Sequence, residues 1–217
     1  MILRIEELKE LCSVILPAVD ATDFSSLTDT LELYAHDGRL EFAITNKEYF
    51  LDTYIVIEKG VDFKATINAN LFLKLISQTT TDTVEFEVDN QSLILKGNGR
   101  YKLPLIYDGD KLFELPKIDI VNKTKEFILD GNILYSILIS NTKQLSVGTL
   151  SRPVQKLYYV DEQGCITFTS GACVNKFILP EAVKLLLNQR LVKLFKLFKD
   201  KSVKVTIGED ALNEEIT

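Results

Sequence analysis

The sequence has 217 residues, enough for one large or two ordinary domains, and its hydrophobic content of 46% supports a folded core rather than bulk disorder. A net charge of −6 excludes a protein that holds nucleic acid by its overall charge, although a local basic surface remains compatible with it. No apolar run approaches the roughly 20 residues of a membrane-spanning helix, and the charged N-terminus is unlike a signal peptide. We therefore expect a cytoplasmic protein without a membrane partner.

The first half of the sequence combines helical and strand-like patterns. Apolar residues at helical spacing predict an amphipathic helix over residues 5–16, which Pro17 ends. Period-two alternation on both sides of Asp37-Gly38 predicts an antiparallel hairpin over residues 31–51. The elements predicted next are strands over 53–58 and 63–67, a helix over 68–77, a strand over 84–88, and a hairpin of 93–96 with 100–105 around Gly97-Asn98-Gly99. Residues 107–123 lose this periodicity, which predicts a linker.

The second half repeats this order of elements. Its patterns predict a strand over 126–129, a helix over 132–145, a hairpin over 155–169, a strand that runs into residues 178–187, a helix over 190–201 and a strand from Val203. The turn glycines Gly38 and Gly164 lie 126 positions apart. Recurrence at domain length predicts a duplicated α+β domain, with copies at residues 1–120 and 124–217. The second copy carries fewer strands after its last helix, so we expect it to be incomplete, and an unpaired strand edge invites a partner.

The residue types that carry catalysis form no recognisable constellation. The single histidine, His36, falls on a predicted strand without a nucleophile beside it, which favours a structural or surface role. Glu85, Glu87 and Asp89 alternate along one strand, as solvated carboxylates do. Three cysteines, Cys12, Cys165 and Cys173, lie in apolar patterns and are expected to be buried free thiols. We therefore predict a protein that is not an enzyme and has no cofactor and no metal site.

Lysines are concentrated on the predicted helices. Lys193, Lys196 and Lys199 are spaced by three, which places them on one face of a helix, opposite its leucines and phenylalanines. Lys9, Lys74 and Lys143 lie on the polar faces of the other three predicted helices. These faces are either solvated surface or a positive strip that contacts phosphates without reading bases. The distribution favours one basic surface built from helices, with the sheets elsewhere.

Short segments of the sequence resemble those of a known family. They are GRYKLPLI and DKLFELP at residues 99–106 and 110–116, Ser151-Arg152-Pro153-Val154, and Phe168-Thr169-Ser170-Gly171. With the element order, they resemble the bacterial DNA polymerase sliding clamp, the beta subunit of the replicase. The resemblance implies helices that line an inner face, antiparallel sheets outside, and a homo-oligomeric ring around duplex DNA, bound independently of its sequence. The implied DNA-facing residues are Lys9, Lys74, Lys143, Arg152, Lys193, Lys196 and Lys199.

The resemblance also implies a pocket for short linear peptides of DNA polymerase and the clamp loader. Its residues here are Gln155, Thr169, Gly171, Ala172 and Val174. The usual Leu, Asp, His and Arg of the family are replaced by Gln155, Ser170, Ala172 and Cys173, and the other wall of the pocket belongs to a third domain that these 217 residues do not contain. The pocket then has an altered specificity, or the same residues serve only strand packing.

Two alternatives remain open from the sequence. The chain is either a fragment of a longer clamp, which we favour, or a divergent clamp of a phage or mobile element whose ring has more subunits. Its function is that of a processivity factor that encircles DNA, or that of a repeat-built interaction scaffold of clamp fold that binds only protein. The acidic net charge and the altered pocket favour the scaffold, and the lysines on the helices favour the processivity factor.

Overall fold

A computed structural model of the chain describes residues 1–19, 29–45, 50–117, 120–141, 157–161, 164–168, 172–175, 185–188 and 194–210. The chain divides into two compact units, Met1–Ile118 and Asp119–Thr217. Both combine helices with antiparallel strands, so the α+β class predicted from the sequence is confirmed. No helix in the described part of the chain is long and apolar enough to cross a membrane.

Unit 1 contains two helices and ten strands in the described residues. In chain order these are β1 (Ile2–Arg4), α1 (Ile5–Ile15), β2 (Thr30–His36), β3 (Arg39–Thr45), β4 (Phe50–Val56), β5 (Phe63–Asn68), α2 (Ala69–Gln78), β6 (Thr83–Val88), β7 (Ser92–Lys96), β8 (Arg100–Pro104), β9 (Tyr107–Asp108) and β10 (Lys111–Leu112). A 3₁₀ turn, Leu16–Ala18, follows α1 and contains the proline predicted to end it. Both predicted hairpins are confirmed. The strands β9 and β10 pair with each other within the segment predicted to be a linker. The sequence did not reveal them, because two-residue strands are too short to show a period-two pattern.

Unit 1 is built from two halves that each follow the order strand, helix, three strands. One sheet has the strand order β4-β3-β2-β5 and the other β1-β6-β7-β8. Each sheet therefore combines the first strand of one half with the three later strands of the other half. The two helix starts are held by equivalent hydrogen bonds. Ile5 N donates to Asp82 O at 2.9 Å, and Ala69 N donates to Asp29 O at 2.7 Å. Positions 64 residues apart in α1 and α2 are therefore equivalent.

The core of unit 1 lies between the two sheets and the two helices. Leu8 and Ile15 of α1 and Phe72 and Ile76 of α2 are fully buried. The Phe72 ring centroid lies 6.1 Å from that of Phe42 on β3 and 6.1 Å from that of Phe86 on β6, so it joins the two sheets. Burial of each such side chain contributes about 1.5–3 kcal/mol. Helical spacing of apolar residues therefore fixes which faces of α1 and α2 remain outside.

In its described residues, unit 2 repeats this topology with fewer strands. Its elements are β11 (Ile120–Asp130), α3 (Gly131–Asn141), β12 (Leu157–Asp161), β13 (Gly164–Phe168), β14 (Ala172–Asn175), β15 (Leu185–Asn188), a 3₁₀ turn (Lys196–Phe198) and β16 (Ser202–Asp210). The sheet β14-β13-β12-β15 has the neighbours of β4-β3-β2-β5, and β11 pairs with β16 as β1 pairs with β6. Gly131 N donates to Lys201 O at 2.9 Å, the counterpart of the bond that starts α1.

The segment before β16, where the sequence predicted a helix over residues 190–201, is helical over residues 194–198. Leu194 and Phe195 are α-helical and continue into a 3₁₀ turn, Lys196–Phe198, with hydrogen bonds from Lys199 N to Lys196 O at 3.3 Å and from Lys201 N to Phe198 O at 3.0 Å. Asp200 then takes a φ of +61, a conformation that aspartate tolerates better than most residues and that ends a helix. Residues 190–193 lie outside the described part of the chain, as do residues 142–145 of the helix predicted over 132–145.

Gly131 marks a close approach of two segments in unit 2. A Cβ atom at this position would overlap the carbonyl oxygen of Phe198, so only glycine fits where the 3₁₀ turn crosses the start of α3. The equivalent position in unit 1 is Ile5, whose side chain is buried. The two copies therefore share a topology while packing differently at the first residue of their first helix.

Candidate nucleic-acid interface

The outward faces of α1 and α2 form the helical surface of unit 1. Ile5, Leu8, Leu11 and Ile15 turn α1 toward the core. Asn68 caps the start of α2, where its side chain accepts a hydrogen bond from Leu71 N at 3.0 Å. The two helices contact each other and border a groove of about 550 Å³. The groove is lined by Lys9, Cys12, Ser13, Leu16, Asn70, Leu73, Lys74, Ile76 and Ser77.

Lys9 links the two helices across this groove. Its Nζ donates a hydrogen bond to the carbonyl oxygen of Thr79 at 2.9 Å, and Thr79 is the residue that ends α2. The last turn of α2 has no basic residue of its own. Because a helix C-terminus carries partial negative charge, the ammonium of Lys9 supplies the cation that α2 lacks. Lys9, expected from the sequence to face DNA, thus already has a partner within the protein.

Lys74 lies on the same groove with different surroundings. Its residue is exposed, and among the described residues its ammonium forms no hydrogen bond and no ion pair. The position equivalent to Lys74 in the internal repeat is Glu10 of α1. Ser77 Oγ donates to Lys74 O at 2.8 Å, as Ser13 Oγ donates to Glu10 O at 2.6 Å. Lys74 is therefore the basic side chain of these two helices that is available for a phosphate.

The helical surface of unit 1 is not strongly basic. The α1 helix carries three glutamates and one lysine, and α2 carries one lysine and no acidic residue. Arg4, just before α1, is paired with Glu7, which raises the pKa of the arginine through their side-chain hydrogen bond. Any contact with phosphate through these helices would be made by few charges, and would be correspondingly weak and sensitive to salt.

Cys12 lines the groove as a half-buried free thiol. Burial raises its pKa to about 12. The thiolate is the reactive form of cysteine, so Cys12 is inert near neutral pH. The expectation of a free thiol is confirmed for Cys12, whereas the side chains of Cys165 and Cys173 lie outside the described part of the structure.

Two of the lysines of unit 2 that were predicted to face DNA, Lys196 and Lys199, lie at the 3₁₀ turn. Leu194 is buried, and the Phe195 and Phe198 rings pack with centroids 6.0 Å apart. Lys196 and Lys199 are exposed beside them, so the separation of apolar and basic side chains predicted from the sequence holds over this turn. The remaining residues predicted to face DNA lie outside the described ranges; they are Lys143, Arg152 and Lys193.

Two residues of the predicted peptide pocket lie on β14, the edge strand of its sheet. Ala172 pairs with Phe168, and Val174 pairs with Ile166, which in turn pairs with Tyr159. Tyr159, on the strand β12 of the same sheet, is exposed. The other predicted pocket residues, Gln155, Thr169 and Gly171, lie outside the described ranges.

The strand carboxylates Glu85 and Glu87 and the single histidine, His36, contact neighbouring side chains. Lys96 Nζ lies 3.3 Å from Glu85 Oε1 and 2.8 Å from Glu87 Oε2, and the hydrogen bond from Lys96 holds the pKa of Glu87 below its ordinary value. The His36 ring stacks on Tyr34 with centroids 4.2 Å apart. Its Nε2 lies 3.1 Å from Glu41 Oε1 but makes no aligned hydrogen bond. No group of three or more potential metal ligands occurs among the described residues.

The sequence alone did not reveal the groove or the role of Lys9. Helical spacing placed Lys9 on a polar face, but the partner of that side chain is 70 residues away along the chain. One local signal pointed in this direction: α2 ends without a basic residue, so its last carbonyls need a donor from elsewhere.

Comparison with known proteins identifies the fold. No protein-family model matches the sequence, and no curated protein does. The structure is similar to the DNA polymerase III subunit beta from Pseudomonas aeruginosa, with a TM-score of 0.77 and 16% identity over 96% of this chain and 59% of that one. It is also similar to the DNA polymerase sliding clamp from Caulobacter crescentus, with a TM-score of 0.79 and 14% identity over 95% of this chain and 60% of that one.

A third similar structure is the Helicobacter pylori beta clamp bound to a DNA ligase peptide, with a TM-score of 0.73 and 18% identity over 97% of this chain and 64% of that one. The chain thus spans roughly three fifths of the length of these proteins. At these identities the likeness establishes the fold, which is that of the bacterial DNA polymerase sliding clamps. The fold expected from the resemblance in sequence is therefore confirmed.

Proposed function

We propose that this protein is a DNA sliding clamp, a non-enzymatic processivity factor that encircles duplex DNA and tethers the replicative DNA polymerase. The observation that carries the proposal is the likeness of nearly the whole chain to bacterial sliding clamps. The internal repeat supports it, because unit 2 reproduces the strand order and the helix-starting hydrogen bond of unit 1. A ring made of such units holds DNA by enclosing it rather than by affinity.

The charges of the described residues suit this mode of holding DNA. A ring that must slide needs weak contacts that do not depend on base sequence, and tight phosphate contacts would stop it. Lys74, Lys196 and Lys199 supply exposed positive charge, while Lys9 is engaged with Thr79. The net charge of −6 is compatible with enclosure by a few weak contacts.

We further propose that the edge strand β14 receives short peptides of polymerase and clamp loader. The beta clamp of Helicobacter pylori has been solved with a DNA ligase peptide, which supports peptide binding as a property of this fold. Ala172 and Val174 lie two residues apart on this edge strand. The side chains that replace the usual family residues here, Gln155 among them, would change which peptides bind.

The test of DNA enclosure is polymerase product length on singly primed circular DNA, with the polymerase and clamp loader of the source organism. Replacing Lys196 and Lys199 with glutamate is expected to shorten the products. The matched control replaces Lys59 and Lys117 with glutamate. Both are exposed lysines outside the helices, so product length should remain unchanged. Equal losses in both variants, or none in either, would contradict a DNA-facing role for Lys196 and Lys199.

The alternative is an interaction scaffold of clamp fold that binds protein without encircling DNA. One observation favours it: the two helices of unit 1 carry more acidic than basic side chains. A scaffold would neither extend polymerase products on circular DNA nor form a ring. The solution mass separates the two, because a ring requires a multiple of the 24.6 kDa chain mass and a monomeric scaffold does not.

A further inference from the structure

The last segment of unit 1, residues 105–115, is bound along the edge of β5; it is called the linker below because it leads to unit 2. Leu105 N donates to Gln91 O at 2.9 Å, which ties the start of the segment to the β6–β7 turn. Ile106 N then donates to Thr66 O at 2.8 Å, and Thr66 Oγ1 donates to Phe113 O at 2.6 Å. Because β5 is the edge strand of its sheet, the segment over residues 105–115 covers main-chain groups that would otherwise be open.

A buried carboxylate holds the far end of this segment. Glu32 lies on β2, beside β5, and is only 4% exposed. Its Oε2 accepts a hydrogen bond from the backbone N–H of Leu115 at 3.0 Å, and Leu115 is also only 4% exposed. A buried carboxylate is costly unless hydrogen bonds and opposite charge satisfy it. The linker supplies one of the groups that make the burial of Glu32 tolerable.

Lys64 supplies the opposite charge and reaches the linker as well. Its Nζ lies 3.5 Å from Glu32 Oε1 and 2.9 Å from Glu114 Oε1. The hydrogen bond from Lys64 holds the pKa of Glu114 below its ordinary value. Lys64 therefore bridges a buried carboxylate of the sheet and an exposed carboxylate of the linker, so that releasing the linker would deprive both Glu32 and Lys64 of a partner.

We propose that Glu32 and Lys64, with Thr66, form a linker latch that fixes residues 105–115 to unit 1 and thereby sets the length of the tether to unit 2. With the latch closed, four residues, 116–119, separate Leu115 from the first residue of β11. Four residues span at most about 14 Å, whereas the fourteen residues from 106 to 119 would span about 50 Å. In this proposal Glu32 holds the linker in place. The proposal rests on contacts within unit 1 and does not depend on DNA binding.

Hydrogen exchange of the full chain tests the latch. In Glu32→Ala, amides of residues 106–117 are expected to exchange about ten- to a hundredfold faster, because a hydrogen bond to a charged group is removed. The exchange rates of the β2 amides, over residues 30–36, should keep their ratio to the exchange rates of the other core strands. The matched control is Glu87→Ala, which removes a strand glutamate paired with a lysine but has no contact with the linker. Equal acceleration everywhere would make Glu32 an ordinary stabilising residue and overturn the latch.

A second variant keeps the test decisive if Glu32→Ala does not fold. Thr66→Val removes the hydroxyl that binds Phe113 O and leaves every charge in place, so exchange in residues 106–117 should rise while the core is unchanged. Unchanged protection of that segment would overturn the proposal. The maximum dimension measured by small-angle X-ray scattering, compared at equal oligomeric mass, should increase in the variant that opens the latch. An unaltered dimension would refute the claim about tether length.

Discussion

Lys9 and Lys74 line one groove, but replacing each with methionine should affect stability differently. Lys9→Met removes the ammonium that binds Thr79 O, so it should destabilise unit 1. Lys74→Met removes an ammonium without a partner among the described residues, so stability should not change. Methionine keeps most of the apolar stem of lysine, so both variants test the charge rather than the packing.

The size of the effect follows from the geometry of the Lys9 bond. A hydrogen bond to a charged group is worth about 1.5–3 kcal/mol, and solvent screening of the exposed lysine reduces this toward about 1 kcal/mol. For a domain of this size, that free energy corresponds to a fall in Tm of roughly 4 °C. The change should be visible as a lower urea midpoint with an unchanged m-value, since the compactness of the folded and unfolded states is not altered.

DNA binding provides the second half of the comparison. The logarithm of the affinity for a short duplex falls linearly with the logarithm of the salt concentration, and each phosphate that the protein neutralises adds about 0.9 to the steepness of that line. Lys74→Met should make the line shallower by about that amount, and Lys9→Met should change it little. A Lys9→Met variant of unchanged stability, or one whose salt slope falls as much as that of Lys74→Met, would refute the assignment of Lys9 to the end of α2.

Three further predictions concern packing, reactivity and pH. Gly131→Ala should lower the stability of unit 2 by about 1–3 kcal/mol in urea unfolding, because the new Cβ overlaps the Phe198 carbonyl, and a neutral result would contradict this close approach. Cys12 should resist iodoacetamide at pH 8 until the chain unfolds, as mapped by peptide mass spectrometry, because burial raises its pKa to about 12; rapid native labelling would contradict this. The lowered pKa of Glu87 stabilises the fold above its ordinary value of 4.5, and this contribution is lost as the pH falls through the folded pKa. Free energies of unfolding measured between neutral and acid pH should therefore fall less steeply in Lys96→Met, and identical slopes would show that the pair does not contribute.

The sequence predicted the elements of unit 1 because their patterns are long and local. Seven-residue strands on both sides of Asp37-Gly38 give a clear period of two, and the buried stripe of α1 gives a clear helical period. The helix predicted over residues 190–201 is confirmed for Leu194 and Phe195, whereas residues 190–193 lie outside the described part of the chain. The end of this helix differs from the pattern: it tightens into the 3₁₀ turn Lys196–Phe198, and Asp200 takes a positive φ, a conformation that periodicity does not report.

The candidate site was predicted only in outline. Lys9 and Lys74 are exposed, as helical spacing predicted, but the spacing of residues along α1 carries no information about Thr79, to which Lys9 binds. Glu32 gave even less signal, because a glutamate that alternates with leucines on a strand usually marks the solvated face of a sheet. Its burial results from the linker that returns over β5, 83 residues further along the chain.

The sequence by itself determined most of the helices and strands of unit 1 and indicated that the module occurs twice, because hydrophobic periodicity and turn residues act over a few neighbouring positions. Tertiary structure alone decided how the two halves of unit 1 exchange their first strands, which lysine remains available, and where the linker is held. Those outcomes depend on hydrogen bonds and ion pairs between residues far apart in the chain, and the local pattern that places each partner on a face is the same whether or not that bond forms.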